Sequence, residues 1–422
     1  MTIQEQNQFL TQRRWRVLAA CCITNLCLGA PYAWSVFAGP LAEHLNALHG
    51  TAMTASDLAL AFSFSSSLTF ITMIAGGYLE KKIGARRIIF AGVILFGISF
   101  LVCGMARSVL AVIFGFGVIG GLANGLGYVC TVSTAVKFFP DKKGLIGGIS
   151  TASYGISSVI IPPIADALNR SVGISRAFTI FGIAIIGIGG LCSLFILNCP
   201  DDYTPTGWNG GSSDAAGTSR DMTALQMLAS PIFYVMLAMM FIGATIGLMM
   251  ISETAAIAQT MLGMSSSAAA LIVSTYALFN TGSRIVVGWI SDKIGRIRTI
   301  TYVLVLMVLS LLAIYLSGLN GNTFLFRAGI CLIGFSYGSF MGIYPAFTSD
   351  QFGVKYSALN YGILFIGFSL AGVVGPLIMQ KIFSEFGSYR PSFPIAIVFA
   401  LIGIALTFLY RAVNRKLAQK SA

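Results

Sequence analysis

Apolar runs of about 20 residues recur twelve times along this chain, and nothing constrains its fold more. A run of that length crosses a hydrocarbon core about 30 Å thick as a helix. Inside lipid the backbone must satisfy its own hydrogen bonds, which leaves helices or closed barrels. The runs cover residues 17–38, 57–78, 88–106, 109–136, 144–166, 176–198, 231–256, 267–290, 299–318, 323–347, 356–380 and 391–411. Each is long enough to cross as a helix, so the expected fold class is an all-α integral membrane protein with twelve transmembrane helices. Only 9% of the 422 residues are charged and 56% are hydrophobic, too little charge to cover a water-soluble protein of this length.

The net charge of +12 does not point to nucleic acid. The cations lie between the apolar runs, where the positive-inside rule expects them. Assigning alternate loops to opposite faces puts 19 of the 26 on one face: Arg13, Arg14, Arg16, Lys81, Lys82, Arg86, Arg87, Lys137, Lys142, Lys143, Arg220, Lys293, Arg296, Arg298, Lys355, Arg411, Arg415, Lys416 and Lys420. Six lie on the other, Arg107, Arg170, Arg176, Arg327, Lys381 and Arg390. This bias predicts cytoplasmic termini and a place in the plasma (inner) membrane. Leu18-Ala-Ala-Cys21 has too short an apolar lead to be a cleaved signal and reads as part of the first span. The eight cysteines show no paired spacing and read as small buried apolar residues, with no metal site and no cofactor expected.

Residues 199–226 are polar and rich in small residues, and they read as a cytoplasmic linker. It separates an N-terminal six-helix half, 1–198, from a C-terminal half, 227–422. The halves look related. Gly77-Tyr-Leu-Glu-Lys-Lys-Ile-Gly84-Ala-Arg-Arg87 follows the second span, and Gly288-Trp-Ile-Ser-Asp-Lys-Ile-Gly295-Arg-Ile-Arg298 follows the eighth. Repeated halves mark certain secondary transporters. The doubled loop resembles the signature loop of the major facilitator superfamily, with its acidic position at Asp292 in one copy and at Glu80 in the other. That resemblance implies two pseudo-symmetric six-helix bundles, the major facilitator fold.

The twenty-sixth cation, Arg284, sits within an apolar span. A cation at such depth costs roughly 2.5–3.5 kcal/mol on insertion scales, so a buried anion site is the expected use. The alternative is a structural arginine bound to a carboxylate or to carbonyls, but no Asp or Glu lies one turn away. Its planar fork suits a carboxylate and stays charged at physiological pH. Asn280 and Tyr276 lie four and eight residues earlier on the same helix face. Asn280 can donate to the same anion or orient the guanidinium.

A finer resemblance, to the oxalate/formate antiporter family and the related monocarboxylate transporters, rests on four stretches. They are Phe138-Phe-Pro-Asp-Lys-Lys-Gly144, Asn280-x-x-x-Arg284, Ser349-Asp-Gln-Phe-Gly353 and Asn360-Tyr-Gly362. The antiporter that exchanges oxalate pairs its eighth-helix arginine with a lysine in the eleventh helix. Counting from the Asn-Tyr-Gly motif, that lysine position falls on Phe368. One cation balances a monoanion, whereas a dianion would keep an uncompensated charge in a low-dielectric cavity. The expected substrate is therefore a small monocarboxylate of the lactate or pyruvate class, taken up with a proton by alternating access; anion exchange of the oxalate/formate type is the alternative. By the same resemblance helices 1, 4, 7 and 10 line the cavity, which makes Tyr32, Asn124, Tyr128 and Tyr337 candidate substrate contacts beside Arg284, Asn280 and Phe368. Ordinary interhelical hydrogen bonding is the alternative for each polar residue. The position of Asn280 resembles an aspartate in many animal monocarboxylate carriers, so the asparagine removes one candidate proton carrier. Glu253, near the outer end of helix 7, is the proton-coupling candidate.

An enzyme is not expected: the chain has no HExxH, no Gly-x-Ser-x-Gly, no Walker loop and no His/Asp cluster within spans. The expected partners are the anion, a proton and the lipid bilayer, with no nucleic acid, and a monomer is the expected state.

Overall fold

A computed structural model describes residues 2–208 and 221–421. Among them twelve helices are long and apolar enough to cross a membrane. They are α1 (Ile3–His49), α2 (Ala59–Ile83), α3 (Ala85–Gly104), α4 (Val109–Phe138), α5 (Lys143–Val172), α6 (Ile174–Leu194), α7 (Pro231–Leu262), α8 (Ser266–Ile294), α9 (Arg296–Asn320), α10 (Thr323–Phe352), α11 (Ser357–Phe386) and α12 (Ser392–Leu417). Every apolar run of the sequence thus becomes one helix.

The largest departure from the sequence reading is α1, which starts at Ile3 rather than near residue 17 and continues to His49. Hydropathy marks only where a helix enters lipid. The polar first turns are held by a capping box, in which the Thr2 side chain accepts from the Glu5 amide and the Glu5 carboxylate accepts from the Thr2 amide. A 3₁₀ turn at Ala30–Ala33 interrupts α1 midway.

Contacts divide the described residues into two compact units. The first holds 2–141, 153–208 and 354–363; the second holds 142–152, 221–353 and 364–421. The middle of the expected linker, 209–220, lies outside the described residues, as does Arg220. Its flanks are tied down, each within its own unit. Asn7 donates to Thr204 and the Thr206 amide to Thr11, while the Met222 amide donates to the Phe352 carbonyl.

Glycines let helices approach closely within the first unit. A methyl group at Gly125 of α4 would lie 2.1 Å from the Thr69 carbonyl oxygen of α2, and one at Gly121 would lie 2.6 Å from that of Ser65. Only hydrogen side chains permit such crossings.

The two signature loops share one backbone form. Gly84 and Gly295 both have φ +89° and nearly equal ψ, a region that favours glycine. Matching these glycines corrects the sequence reading of the acidic position. Residue 81, a lysine, corresponds to Asp292, and Glu80 lies one residue earlier. The roles diverge accordingly. Asp292 accepts from the Gly144 and Leu145 amides at 2.7 and 2.8 Å, capping the first turn of α5, and pairs with Arg296. Glu80 instead forms a buried ion pair with Lys137, 2.7 Å long, and Lys81 pairs with Asp201.

Candidate anion site

Tyr276, Asn280 and Arg284 recur every four residues on α8, and all three side chains are buried. A ladder of glycines at the same spacing on α10 brings that face close. A methyl at Gly334 would meet the Tyr276 carbonyl oxygen at 2.8 Å, one at Gly338 that of Asn280 at 1.9 Å, and one at Gly342 that of Arg284 at 2.4 Å. Gly148 of α5 lies on the same Arg284 carbonyl, 2.1 Å from its own hypothetical methyl. The arginine main chain is therefore clasped by two glycine surfaces.

Within this clasp the guanidinium is oriented from two sides. Nη1 donates to the Thr151 carbonyl at 2.7 Å and Nη2 to the Asn280 Oδ1 at 2.9 Å. Among the described residues no carboxylate pairs with it. Two further donors, Arg284 Nε and Asn280 Nδ2, are buried and have no hydrogen-bond partner. Leaving a buried donor unsatisfied costs about 1–3 kcal/mol, more for a charged group. A positive charge with two neighbouring orphan donors is complementary to one carboxylate. The arginine rests on a carbonyl, as the structural alternative expects, and on Asn280, while two donors stay unpartnered.

Tyr276 was read only as a neighbour, and the structure puts its hydroxyl on the Gly247 carbonyl of α7 at 3.0 Å. Tyr337 is buried against the same glycine, where a methyl would strike its ring 2.1 Å away. Phe368 is half-buried on α11, its ring 4.6 Å from that of Phe365.

Asn124, Tyr128 and Tyr32 belong to the first unit and gather around a residue the sequence reading missed, Tyr154 of α5. The Tyr154 ring lies 4.8 Å from that of Tyr128 and 5.4 Å from that of Tyr32. Tyr32 is exposed and Tyr128 buried. Asn124 donates to the Leu28 carbonyl at 2.6 Å and accepts from the Tyr154 hydroxyl at 3.4 Å, so both its polar ends are engaged beside the break in α1. No local pattern announces Tyr154, because its partners are 26 to 122 residues away. The two glycines clasping Arg284 carry no local mark either, since glycine is common throughout the chain.

Glu253 is partly buried and accepts from the Tyr389 hydroxyl at 2.9 Å. Tyr389, in the loop after α11, has its hydroxyl pushed up to about 12, by burial first and then by the Glu253 carboxylate. The partner of Glu253 is this loop tyrosine, not a member of the Arg284 cluster.

The glycine clasp makes a prediction of its own. Gly338→Val is expected to force α8 and α10 apart at Asn280, destabilising the fold by about 1–3 kcal/mol as overpacking does. Gly282→Ala, where nothing lies within 4 Å of the new methyl, is expected to be neutral. Thermal unfolding of both purified variants checks this; equal midpoints would show the clasp to be slack.

A sequence model of the Major Facilitator Superfamily matches residues 19–376, and the chain belongs to that superfamily. Its members are transporters rather than enzymes, and the twelve helices are those of a multi-pass membrane protein of this fold. Over 361 residues, 85% of this chain and 86% of the relative, it is 31% identical to an uncharacterized MFS-type transporter, YhjX, of Escherichia coli. It is 29% identical to the oxalate:formate antiporter of Oxalobacter formigenes, over 97% of this chain and 94% of the relative. It is 21% identical to monocarboxylate transporter 12-B of Danio rerio, over 95% and 87% respectively.

Proposed function

We propose that the chain is a secondary active transporter of a small monocarboxylate of the lactate or pyruvate class, coupled to a proton and working by alternating access. The observation that carries this reading is the Arg284 cluster: one buried cation, no carboxylate partner among the described residues, and orphan donors on Arg284 and Asn280. A bound monocarboxylate neutralises that charge and satisfies those donors. A dianion leaves one negative charge over, which a low-dielectric interior disfavours. Between Ser357 and Gln380, α11 supplies no second cation, and Phe368 adds apolar surface suited to a methyl-bearing acid. Relatives named for monocarboxylate transport and for oxalate:formate antiport span nearly the whole chain. The second relative favours the rival reading, exchange of one carboxylate for another.

The same proposal includes two six-helix halves, 1–198 and 227–422, joined by the linker 199–226. It also places the termini in the cytoplasm, on the strength of the loop charge bias, and includes a monomer in the plasma (inner) membrane. Tyr337, Tyr128, Tyr32 and Asn124 are proposed as further substrate contacts, and Glu253 as the group that carries the proton.

Uptake of labelled lactate, pyruvate, formate and oxalate into proteoliposomes tests the reading. An inward proton gradient is expected to drive lactate or pyruvate accumulation without a counter-anion, and a protonophore to abolish it. Glu253→Gln is expected to lose gradient-driven accumulation while keeping exchange of internal for external substrate. Accumulation that needs a loaded counter-anion and ignores the proton gradient would establish the exchanger instead.

A further inference from the structure

The two signature loops carry a second repeated feature, apart from the Arg284 cluster. Offsetting the chain by 211 residues, as the paired glycines require, aligns Tyr78 with Trp289, Lys82 with Lys293 and Arg87 with Arg298. In each unit the lysine folds back one helical turn over the ring. Lys82 Nζ lies 4.5 Å from the Tyr78 centroid, and Lys293 Nζ lies 3.8 Å from that of Trp289. Both rings are exposed, at 51% and 46%, and both lysines are exposed as well. They occupy the last turns of α2 and α8, where the apolar spans end.

Two neighbouring cations in these loops are neutralised, whereas Arg86, which the offset aligns with Ile297 and so is not repeated, forms no ion pair among the described residues. Lys81 pairs with Asp201, and Arg296 pairs with Asp292 and Asp350. Lys82, Arg87, Lys293 and Arg298 form no ion pair among the described residues. The favourable end of the helix dipole explains a lysine in a last turn. It does not explain an exposed aromatic beneath that lysine in both copies, nor a second unpaired cation opening the next helix. Aromatic rings at such a depth sit at the level of lipid headgroups. Cations fixed at that depth attract acidic lipids.

We propose that each of these aromatic–lysine–arginine triads, Tyr78/Lys82/Arg87 and Trp289/Lys293/Arg298, binds the phosphate headgroup of one acidic glycerophospholipid. The ring seats against the glycerol and upper acyl region, and the two cations hold the phosphate. The two sites are built separately, each from its own unit.

Trp289 provides the probe. With the whole protein in bilayers containing bromine-labelled phosphatidylglycerol or phosphatidylcholine, the part of the tryptophan emission lost in Trp289→Phe reports on lipid at that ring. Brominated phosphatidylglycerol is expected to quench this part preferentially. Each cation removed in Lys293→Gln and Lys293→Gln/Arg298→Gln is expected to weaken the preference roughly fivefold, by about 1 kcal/mol per cation. Native mass spectrometry supplies a second count, in which two phosphatidylglycerol molecules per chain should be retained. None should remain after Lys82→Gln/Arg87→Gln/Lys293→Gln/Arg298→Gln, while Arg170→Gln/Arg176→Gln retains both. Equal quenching by the two lipids, a preference unchanged in the variants, or full displacement by glycerol phosphate alone would each overturn the proposal.

Discussion

Arg284→Ala is expected to abolish carboxylate binding in a protein that still folds. The charge-assisted hydrogen bond that Arg284 Nε has free for a carboxylate is worth about 1.5–3 kcal/mol. Its loss alone corresponds to a fall in affinity of roughly 10- to 150-fold, before the uncompensated charge of the buried anion is counted. The fold has less to lose. The guanidinium bonds a main-chain carbonyl of α5 and one side chain of its own helix. Removing it relieves a buried charge that costs roughly 2.5–3.5 kcal/mol in a membrane span. Arg284→Lys separates charge from shape: an ammonium keeps the charge but loses the planar fork and its fixed donors. It is expected to bind weakly and to discriminate poorly between carboxylates. Equilibrium binding of labelled lactate and pyruvate, beside thermal unfolding in the same detergent, reads both quantities. Wild-type affinity in a stable Arg284→Ala protein would make the arginine structural, held for its contacts with Thr151 and Asn280.

That outcome turns on details that were unevenly legible in the sequence. The twelve helices were plain, because lipid gives a backbone no alternative and hydropathy reports lipid directly. The start of α1 was not, since its polar turns from Ile3 are held by a capping box rather than by burial. Arg284 stood out because it is costly where it is, and Asn280 because it lies one turn away. The surroundings of that pair did not stand out. Gly148 and Gly342 matter through a carbonyl each must approach, on a helix more than fifty residues distant in sequence, and glycine is common throughout the chain. The acidic residue of the first signature loop was misplaced for a related reason. Composition makes Glu80 look equivalent to Asp292, and only the matched turns at Gly84 and Gly295 reveal the offset.

The sharpest consequence of a lone cation concerns oxalate. If one positive charge sets the valence of the substrate, wild-type protein should take up little oxalate, and Phe368→Lys should admit it. By Coulomb's law, a cation and a carboxylate about 6 Å apart in a medium of effective dielectric about 20 attract by about 3 kcal/mol. That corresponds to roughly a hundredfold in affinity. Burial of the new ammonium offsets part of this, because desolvation lowers the fraction charged, so a gain of at least about tenfold is the expected result. The same change should weaken lactate binding, since the extra charge then lacks a partner whenever a monoanion is bound. Phe368→Gln separates polarity from charge: it replaces the ring beside Phe365 without adding a cation and should leave oxalate excluded. Competition by unlabelled oxalate against labelled lactate, in wild type and both variants, gives the three affinities together. Oxalate exchange by the wild-type protein at the rate of lactate transport would mean that charge counting at Arg284 does not decide the substrate. The single-cation argument would then fail even if Arg284 remained the residue that binds it.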